Sequence, residues 1–119
     1  MSKILVVDDS PTEIHHFKET LESLGHEVIT AENGRDGVKM AVAEQPDVVL
    51  MDIVMPDMNG FQATRQIARG EATKHIPVII VSSKNQETDK VWGERQGARG
   101  YITKPVDTDE LMSIIMARV

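Results

Sequence analysis

The stretch VVLMDIVMPDMNG, residues 48–60, joins an apolar run to one carboxylate and then to a turn. Residues 48–51 are all apolar, as in a strand that is covered on both faces of a sheet. Asp52 follows at once, and Pro56 and an Asn-Gly pair then interrupt the chain. Because a carboxylate is costly to bury, its place at the end of a buried strand predicts that it has a use there.

Short strand-like runs alternate with helix-like stretches along the whole chain. The strand candidates are residues 4–7, 27–30, 48–51, 78–81 and 100–103. The helix candidates are residues 11–24, 34–44, 60–69, 86–96 and 107–118. Ser10 and Asn59 are the expected N-caps of the first and third helices. Strand followed by helix, five times over, predicts an α/β fold with a parallel sheet and helices on both faces.

The composition limits the class of protein. A length of 119 residues suits one domain, so we expect a single domain over residues 1–119 with no output domain. Cysteine is absent, which excludes disulfides and thiolate metal sites. The net charge of −6 and the lack of a Lys/Arg cluster argue against nucleic-acid binding. No apolar run approaches the roughly 20 residues that span a bilayer, so we expect a soluble, cytoplasmic protein without membrane insertion.

Polar side chains follow four of the five predicted strands. Asp8 and Asp9 follow the first strand, Asp52 the third, Ser82 the fourth and Lys104 the fifth. The carboxyl ends of parallel strands meet at one edge, where ligands of such sheets bind. Three carboxylates would repel one another there, and a hard divalent cation such as Mg²⁺ would relieve the repulsion. A carboxylate beside Mg²⁺ can attack a phosphoryl group, whose oxygens Lys104 and Ser82 could bind.

Each of these residues also has a simpler interpretation when it is taken alone. Asp8 or Asp9 could cap a helix, and Asp52 or Ser82 could belong to a turn. Lys104 could be a solvated surface lysine. The occurrence of all of them at successive strand ends favours a common site.

The segments ILVVDDS, VVLMDIVMPDMNG, PVIIVSS and GYITKP resemble the successive motifs of the receiver domain of two-component response regulators, the CheY-like family. The resemblance covers essentially the whole chain. It implies a flavodoxin-like, doubly wound (βα)5 fold with a five-stranded parallel sheet in the order 2-1-3-4-5. Longer segments, above all NQETDKVWGERQGA, resemble the stand-alone PilH-type receivers of type IV pilus (twitching motility) systems.

The resemblance implies a role for each residue at the predicted edge. Asp52 would be the phospho-acceptor, and Asp8, Asp9 and Asp52 would bind Mg²⁺ together with the backbone carbonyl of Val54. Lys104 would contact the phosphoryl group.

The resemblance also implies a switch, in which Ser82 and Tyr101 would respond to phosphorylation. The Lys104–Pro105 peptide would be cis, a form that is essentially confined to proline.

The implied partner is a CheA-like histidine kinase or a phosphotransfer domain, which would donate its phosphoryl group to Asp52. A downstream protein could bind the surface of the fourth helix, fifth strand and fifth helix. The chain could instead drain phosphate from a shared kinase. It would not be an enzyme beyond its own phosphorylation and dephosphorylation.

Two other functions remain open at this point. An aspartate-nucleophile phosphohydrolase of the haloacid dehalogenase type needs a second Asp two residues after the nucleophile. Val54 occupies that place after Asp52, and Ser10 occupies it after Asp8. A receiver-like scaffold that acts only by binding would usually lack the acceptor, the acidic pair or the lysine. The sole tryptophan, Trp92, either packs against the sheet or faces a partner.

Overall fold

The computed structural model describes residues 2–118, which form five strands alternating with five helices. Met1 and Val119, the limits of the predicted domain, lie outside the described residues. The strands are β1 (Lys3–Val7), β2 (Glu27–Ala31), β3 (Val48–Met51), β4 (Val78–Ser82) and β5 (Gly100–Thr103). The helices are α1 (Pro11–Ser23), α2 (Gly34–Glu44), α3 (Gly60–Arg69), α4 (Glu87–Arg95) and α5 (Thr108–Arg118).

The five strands form one parallel sheet in the order β2-β1-β3-β4-β5. This confirms the predicted flavodoxin-like topology. Val7 of β1 pairs with Met51 of β3, which in turn pairs with Ile80 of β4. Because these strands run in the same direction, the residues that follow them emerge side by side at one edge of the sheet.

Helices cover both faces of the sheet. Residues alternate along β1 and β3 between two hydrophobic clusters, so that Ile4 belongs to one cluster and Leu5 to the other. The first cluster joins the sheet to α1 and α5, and the second joins it to α2 and α3. Strands β3 and β4 are buried at every residue, as their unbroken apolar sequences predicted.

The helix limits agree with the predicted ones to within one residue at each end. Ser10 caps α1, where its side chain accepts the backbone N–H of Glu13 at 3.3 Å. Asn59 caps α3 through a reciprocal capping box with Gln62. Helix α4 begins one residue later than predicted, because Asp89 accepts the N–H of Gln86 at 3.2 Å and makes Gln86 the cap. Within residues 2–118, no helix has the length and apolar character that a membrane span requires.

Candidate functional site

Asp52 is held at the edge of the sheet by the backbone on both sides of it. Its N–H donates to the carbonyl of Val7 at 2.9 Å, which continues the β1–β3 pairing by one residue. The N–H of Gly60 donates to the carbonyl of Ile53 at 2.9 Å and brings the start of α3 back against the strand end. A Cβ atom at Gly60 would overlap the carbonyl of Asp52. In the Asn-Gly pair of the sequence, the asparagine therefore caps the helix, and the glycine allows this close approach.

Three carboxylates converge at this edge. Asp8, Asp9 and Asp52 each present an oxygen atom within 4.8 Å of the other two. Asp8 is almost fully buried, Asp52 is partly buried and Asp9 is exposed. Oxygen donors of this kind suit a hard divalent cation that retains some of its water, because Asp9 leaves one side of the cluster open to solvent. The three residues therefore fit the magnesium site that the sequence predicted.

Lys104 is the cation that faces this cluster. Its Nζ donates to Asp8 Oδ2 at 3.1 Å and lies 3.7 Å from Asp52 Oδ1, while only 17% of its side chain is exposed. Its backbone N–H donates to the carbonyl of Ser82 at 2.8 Å and so fixes the end of β5 against that of β4. The peptide before Pro105 is cis, as predicted.

The acidic surroundings change the ionisation of both Asp52 and Lys104. Burial and the charge of Asp8 raise the pKa of Asp52 from 3.8 to about 6, even though Lys104 opposes the shift. Burial lowers the pKa of Lys104, but the charges of Asp52 and Asp8 outweigh this effect and raise it above its ordinary value. At neutral pH the site therefore contains an ionised aspartate beside a firmly protonated lysine.

Ser82 and Tyr101 both contact the loop that follows β4. Ser82 is buried, and its hydroxyl accepts the backbone N–H of Lys84 at 3.2 Å. The hydroxyl of Tyr101 donates to the backbone carbonyl of Lys84 at 2.6 Å. The two residues predicted to form the switch are thus connected through the backbone of Lys84, a link that the sequence alone does not indicate.

Val54 lies in the loop after β3, and the residue is 61% exposed. The role of its carbonyl as a metal ligand stays a prediction.

Glu13 is the residue of this site that the sequence analysis missed. Its Oε2 atom lies 3.9 Å from Lys104 Nζ. In the sequence it stands three residues after the cap Ser10, a position that ordinarily indicates a helix-capping role. Only the folded structure brings it to a lysine that is more than 90 residues away in the chain.

Trp92 does not pack into the sheet. It is 48% exposed and lines a mostly apolar surface cavity of about 360 Å³ together with Val91 and Arg95. The neighbouring Gly93 is the residue of α4 that approaches β4, where a Cβ atom would lie 2.8 Å from Ile80 Cδ1. Trp92 belongs to neither hydrophobic cluster of the sheet, so its half-exposed position favours the alternative in which it faces a partner.

The sequence matches a family model described as the response regulator receiver domain over residues 4–116. Among curated proteins, protein PilH of Pseudomonas aeruginosa is 62% identical over 117 residues, which cover 98% of this chain and 97% of PilH.

Solved structures agree with this family match. The chemotaxis protein CheY4 of Vibrio cholerae superimposes with a TM-score of 0.92 at 29% identity, covering 100% of this chain and 99% of CheY4. The receiver domain of a sensor histidine kinase from Pseudomonas aeruginosa superimposes with a TM-score of 0.90 at 29% identity, covering 98% of this chain and 96% of that domain. That receiver domain contains a magnesium ion coordinated in its active site cleft.

Proposed function

Since this chain belongs to the response regulator receiver domain family, we propose that it accepts a phosphoryl group on Asp52 from a histidine kinase. The proposal rests on one structural observation. The partly buried Asp52 lies 3.7 Å from the ammonium of Lys104 and shares an oxygen cluster with Asp8 and Asp9. This arrangement provides a nucleophile, a cation for the phosphoryl oxygens and the ligands for a metal ion.

The proposed reaction is a direct transfer. A carboxylate oxygen of Asp52 attacks the phosphorus atom of a phosphohistidine and forms an O–P bond. The P–N bond breaks, and its electron pair returns to the imidazole nitrogen. Because the pKa of Asp52 is about 6, the residue is mostly ionised at neutral pH and needs no general base. Lys104 pairs with the negative charge that the phosphoryl group brings.

Asp8, Asp9 and Asp52 would hold Mg²⁺ together with the backbone carbonyl of Val54. The ion would neutralise part of the charge on the carboxylates and the phosphoryl oxygens. A magnesium ion in the active site cleft of a structurally similar receiver domain supports this assignment.

The proposed switch acts through the backbone of Lys84. A phosphoryl oxygen on Asp52 would accept the proton of the Ser82 hydroxyl and draw Ser82 toward Asp52, away from the Lys84 N–H that the hydroxyl oxygen accepts. The carbonyl of the same residue accepts the hydroxyl of Tyr101, so a movement of this loop also moves the tyrosine. The surface formed by α4, β5 and α5 would then change between two states.

We assign the protein to type IV pilus (twitching motility) or chemotaxis-like signalling in the cytoplasm. The 62% identity to PilH over nearly the full length of both chains supports this assignment. The phosphoryl donor would be a CheA-like histidine kinase or a phosphotransfer domain. The output would be either a protein bound to the α4–β5–α5 surface or the removal of phosphate from a shared kinase.

A phosphohydrolase of the haloacid dehalogenase type has no support. Val54 and Ser10 occupy the two places where that mechanism needs its second aspartate. The family match over residues 4–116 points to a receiver domain instead.

The test is the intact mass of the protein after incubation with Mg²⁺ and acetyl phosphate. We expect one labile phosphoryl adduct on the wild type and none on Asp52→Asn. Asp57→Asn is the matched control, because Asp57 lies in the same loop but is 73% exposed and pairs with Arg35 at 3.1 Å. It should form the adduct as the wild type does.

The fluorescence of Trp92 should change in parallel in the wild type if α4 responds to the phosphoryl group. An intact wild-type protein that accepts no phosphoryl group from either acetyl phosphate or a phosphorylated histidine kinase would contradict the proposal. The binding-only scaffold would then be the better explanation.

A further inference from the structure

Glu13 reaches the acceptor site because its expected local partner is already engaged. It is the third residue of α1, where a glutamate ordinarily accepts the backbone N–H of the cap residue. The N–H of Ser10 donates instead to Asp8 Oδ1 at 2.9 Å. The carboxylate of Glu13 lies beside Lys104, with Oε2 3.9 Å from Nζ. The metal-binding edge and the start of α1 are thus linked through Asp8.

This position adds a further negative charge next to the acceptor. The same ammonium nitrogen of Lys104 lies 3.9 Å from Glu13 Oε2 and 3.7 Å from Asp52 Oδ1. The two carboxylate oxygen atoms are therefore at most about 8 Å apart, which does not exceed the Debye length of about 8 Å at physiological ionic strength, so the two charges still repel each other. Glu13 also competes with an incoming phosphoryl group for Lys104.

We propose that Glu13 is a specificity-determining residue that disfavours phosphorylation of Asp52 by small dianionic donors, such as acyl phosphates. The inference rests on the proposed acceptance of a phosphoryl group by Asp52. A dianion that approaches the site is repelled by Glu13 more strongly than a donor with a single net charge. A phosphohistidine is less affected, because contacts between the two proteins supply its binding energy. Glu13 would therefore favour the kinase over free metabolites as the source of phosphate.

Two small phosphoryl donors, acetyl phosphate and phosphoramidate, differ in net charge. With acetyl phosphate, a dianion, Asp52 forms the new O–P bond while the bond between phosphorus and the acyl oxygen breaks and acetate leaves. With phosphoramidate, whose zwitterion has a net charge of minus one, the same O–P bond forms while the P–N bond breaks and ammonia leaves. The product on Asp52 is identical, so a difference in the effect of Glu13 reports on the charge of the donor.

The experiment measures the rate constant for phosphorylation of Asp52 with each donor at equal Mg²⁺ and ionic strength. Glu13→Gln keeps the size of the side chain and removes its charge. We expect the acetyl phosphate rate constant to rise more than the phosphoramidate rate constant. Their ratio should increase about threefold relative to the wild type. Raising the ionic strength should shrink this difference, since salt screens the repulsion.

Glu22→Gln is the matched control. Glu22 lies on the same helix, and its Oε2 atom is likewise 3.9 Å from a lysine ammonium, that of Lys18. The substitution removes the same charge from α1 without changing the surroundings of Asp52. We expect the ratio of the two rate constants to stay at the wild-type value.

The outcomes separate this inference from the proposed function. If Asp52 is phosphorylated in all three proteins and the ratio in Glu13→Gln equals that of the wild type, the role of Glu13 is wrong and the proposed function stands. If Glu22→Gln changes the ratio as much as Glu13→Gln does, the effect is one of overall charge, and the inference is also wrong. If the wild type forms no adduct on Asp52 with either donor, both fail.

Discussion

Asp52 combines two demands that conflict at the level of a single residue. In the proposed function, it must be close enough to Asp8 and Asp9 for all three to share a metal ion, yet it must be ionised to act as a nucleophile. Burial and the charge of Asp8 raise its pKa to about 6, and Lys104 limits the rise. The ionised form of Asp52 therefore lowers the free energy of unfolding at neutral pH.

This cost predicts a pH-dependent effect of Asp52→Asn on stability. Because the pKa is higher in the folded protein, protonation of Asp52 stabilises the fold below about pH 4, and this contribution is lost as the pH rises through about 6. Without metal, Asp52→Asn should raise the free energy of unfolding at pH 7.5 by about 2 kcal/mol, which is the effect of the raised pKa after a reduction for solvent screening of this partly exposed group. The gain should fall to about a third of this value at pH 4.5, because the unfolded-state pKa of 3.8 lies below that pH. Urea unfolding of both proteins at the two pH values measures it, and an equal gain at both would contradict the argument.

Helix α4 shows how packing can outweigh the preference of a residue for an element. A glycine inside a helix ordinarily costs about 1 kcal/mol relative to alanine. Gly93 nevertheless lies where a Cβ atom would approach Ile80 to 2.8 Å and both Phe61 and Tyr101 to 3.6 Å. The atom at 2.8 Å is the terminal methyl group of Ile80, and because Ile80 is fully buried, that group has little free space into which to move.

We therefore predict that Gly93→Ala destabilises the protein in spite of its better helix propensity. Overpacking of a buried contact ordinarily costs about 1–3 kcal/mol, which exceeds the gain in propensity. Thr88→Ala, on the exposed side of the same helix, is the control and should change stability by less than about 0.5 kcal/mol. Thermal or urea unfolding measures both. A more stable Gly93→Ala would show that α4 moves away from Ile80 at little cost.

At the scale of the whole molecule, the site is assembled from segments that lie far apart in the chain. The carboxylates come from the ends of β1 and β3, the lysine follows β5, and Glu13 comes from α1. A ligand that bridges these segments binds only the folded protein. Magnesium should therefore stabilise the entire fold by mass action.

We expect Mg²⁺ at ten times its dissociation constant to raise the free energy of unfolding by about 1.4 kcal/mol. Asp9→Asn should lose most of this increase, because Asp9 is an exposed member of the cluster whose substitution leaves the core unchanged. Asp57→Asn, the control in the neighbouring loop, should keep it. Urea unfolding with and without Mg²⁺ measures the effect. An equal increase in Asp9→Asn and the wild type would place the ion elsewhere.

The sequence by itself determined the elements and the chemistry at their ends. Apolar runs of four or five residues and good helix caps act locally, so the strands and helices could be predicted to within a residue or so. The rule that parallel strands carry their sites at their carboxyl ends then selected Asp8, Asp52 and Lys104. Resemblance to a family added the strand order and the proposal that Asp52 is the phospho-acceptor.

Only the tertiary structure decided the contacts between distant segments. Glu13 is assigned to a helix cap by its sequence position, but Asp8 takes the cap N–H and leaves Glu13 beside Lys104. The exposure of Trp92 follows from the close approach of the adjacent Gly93 to β4. Local sequence patterns determine which residues form each helix or strand. Packing among residues that are far apart in the sequence decides which face a helix or strand turns to its neighbours and how closely it approaches them.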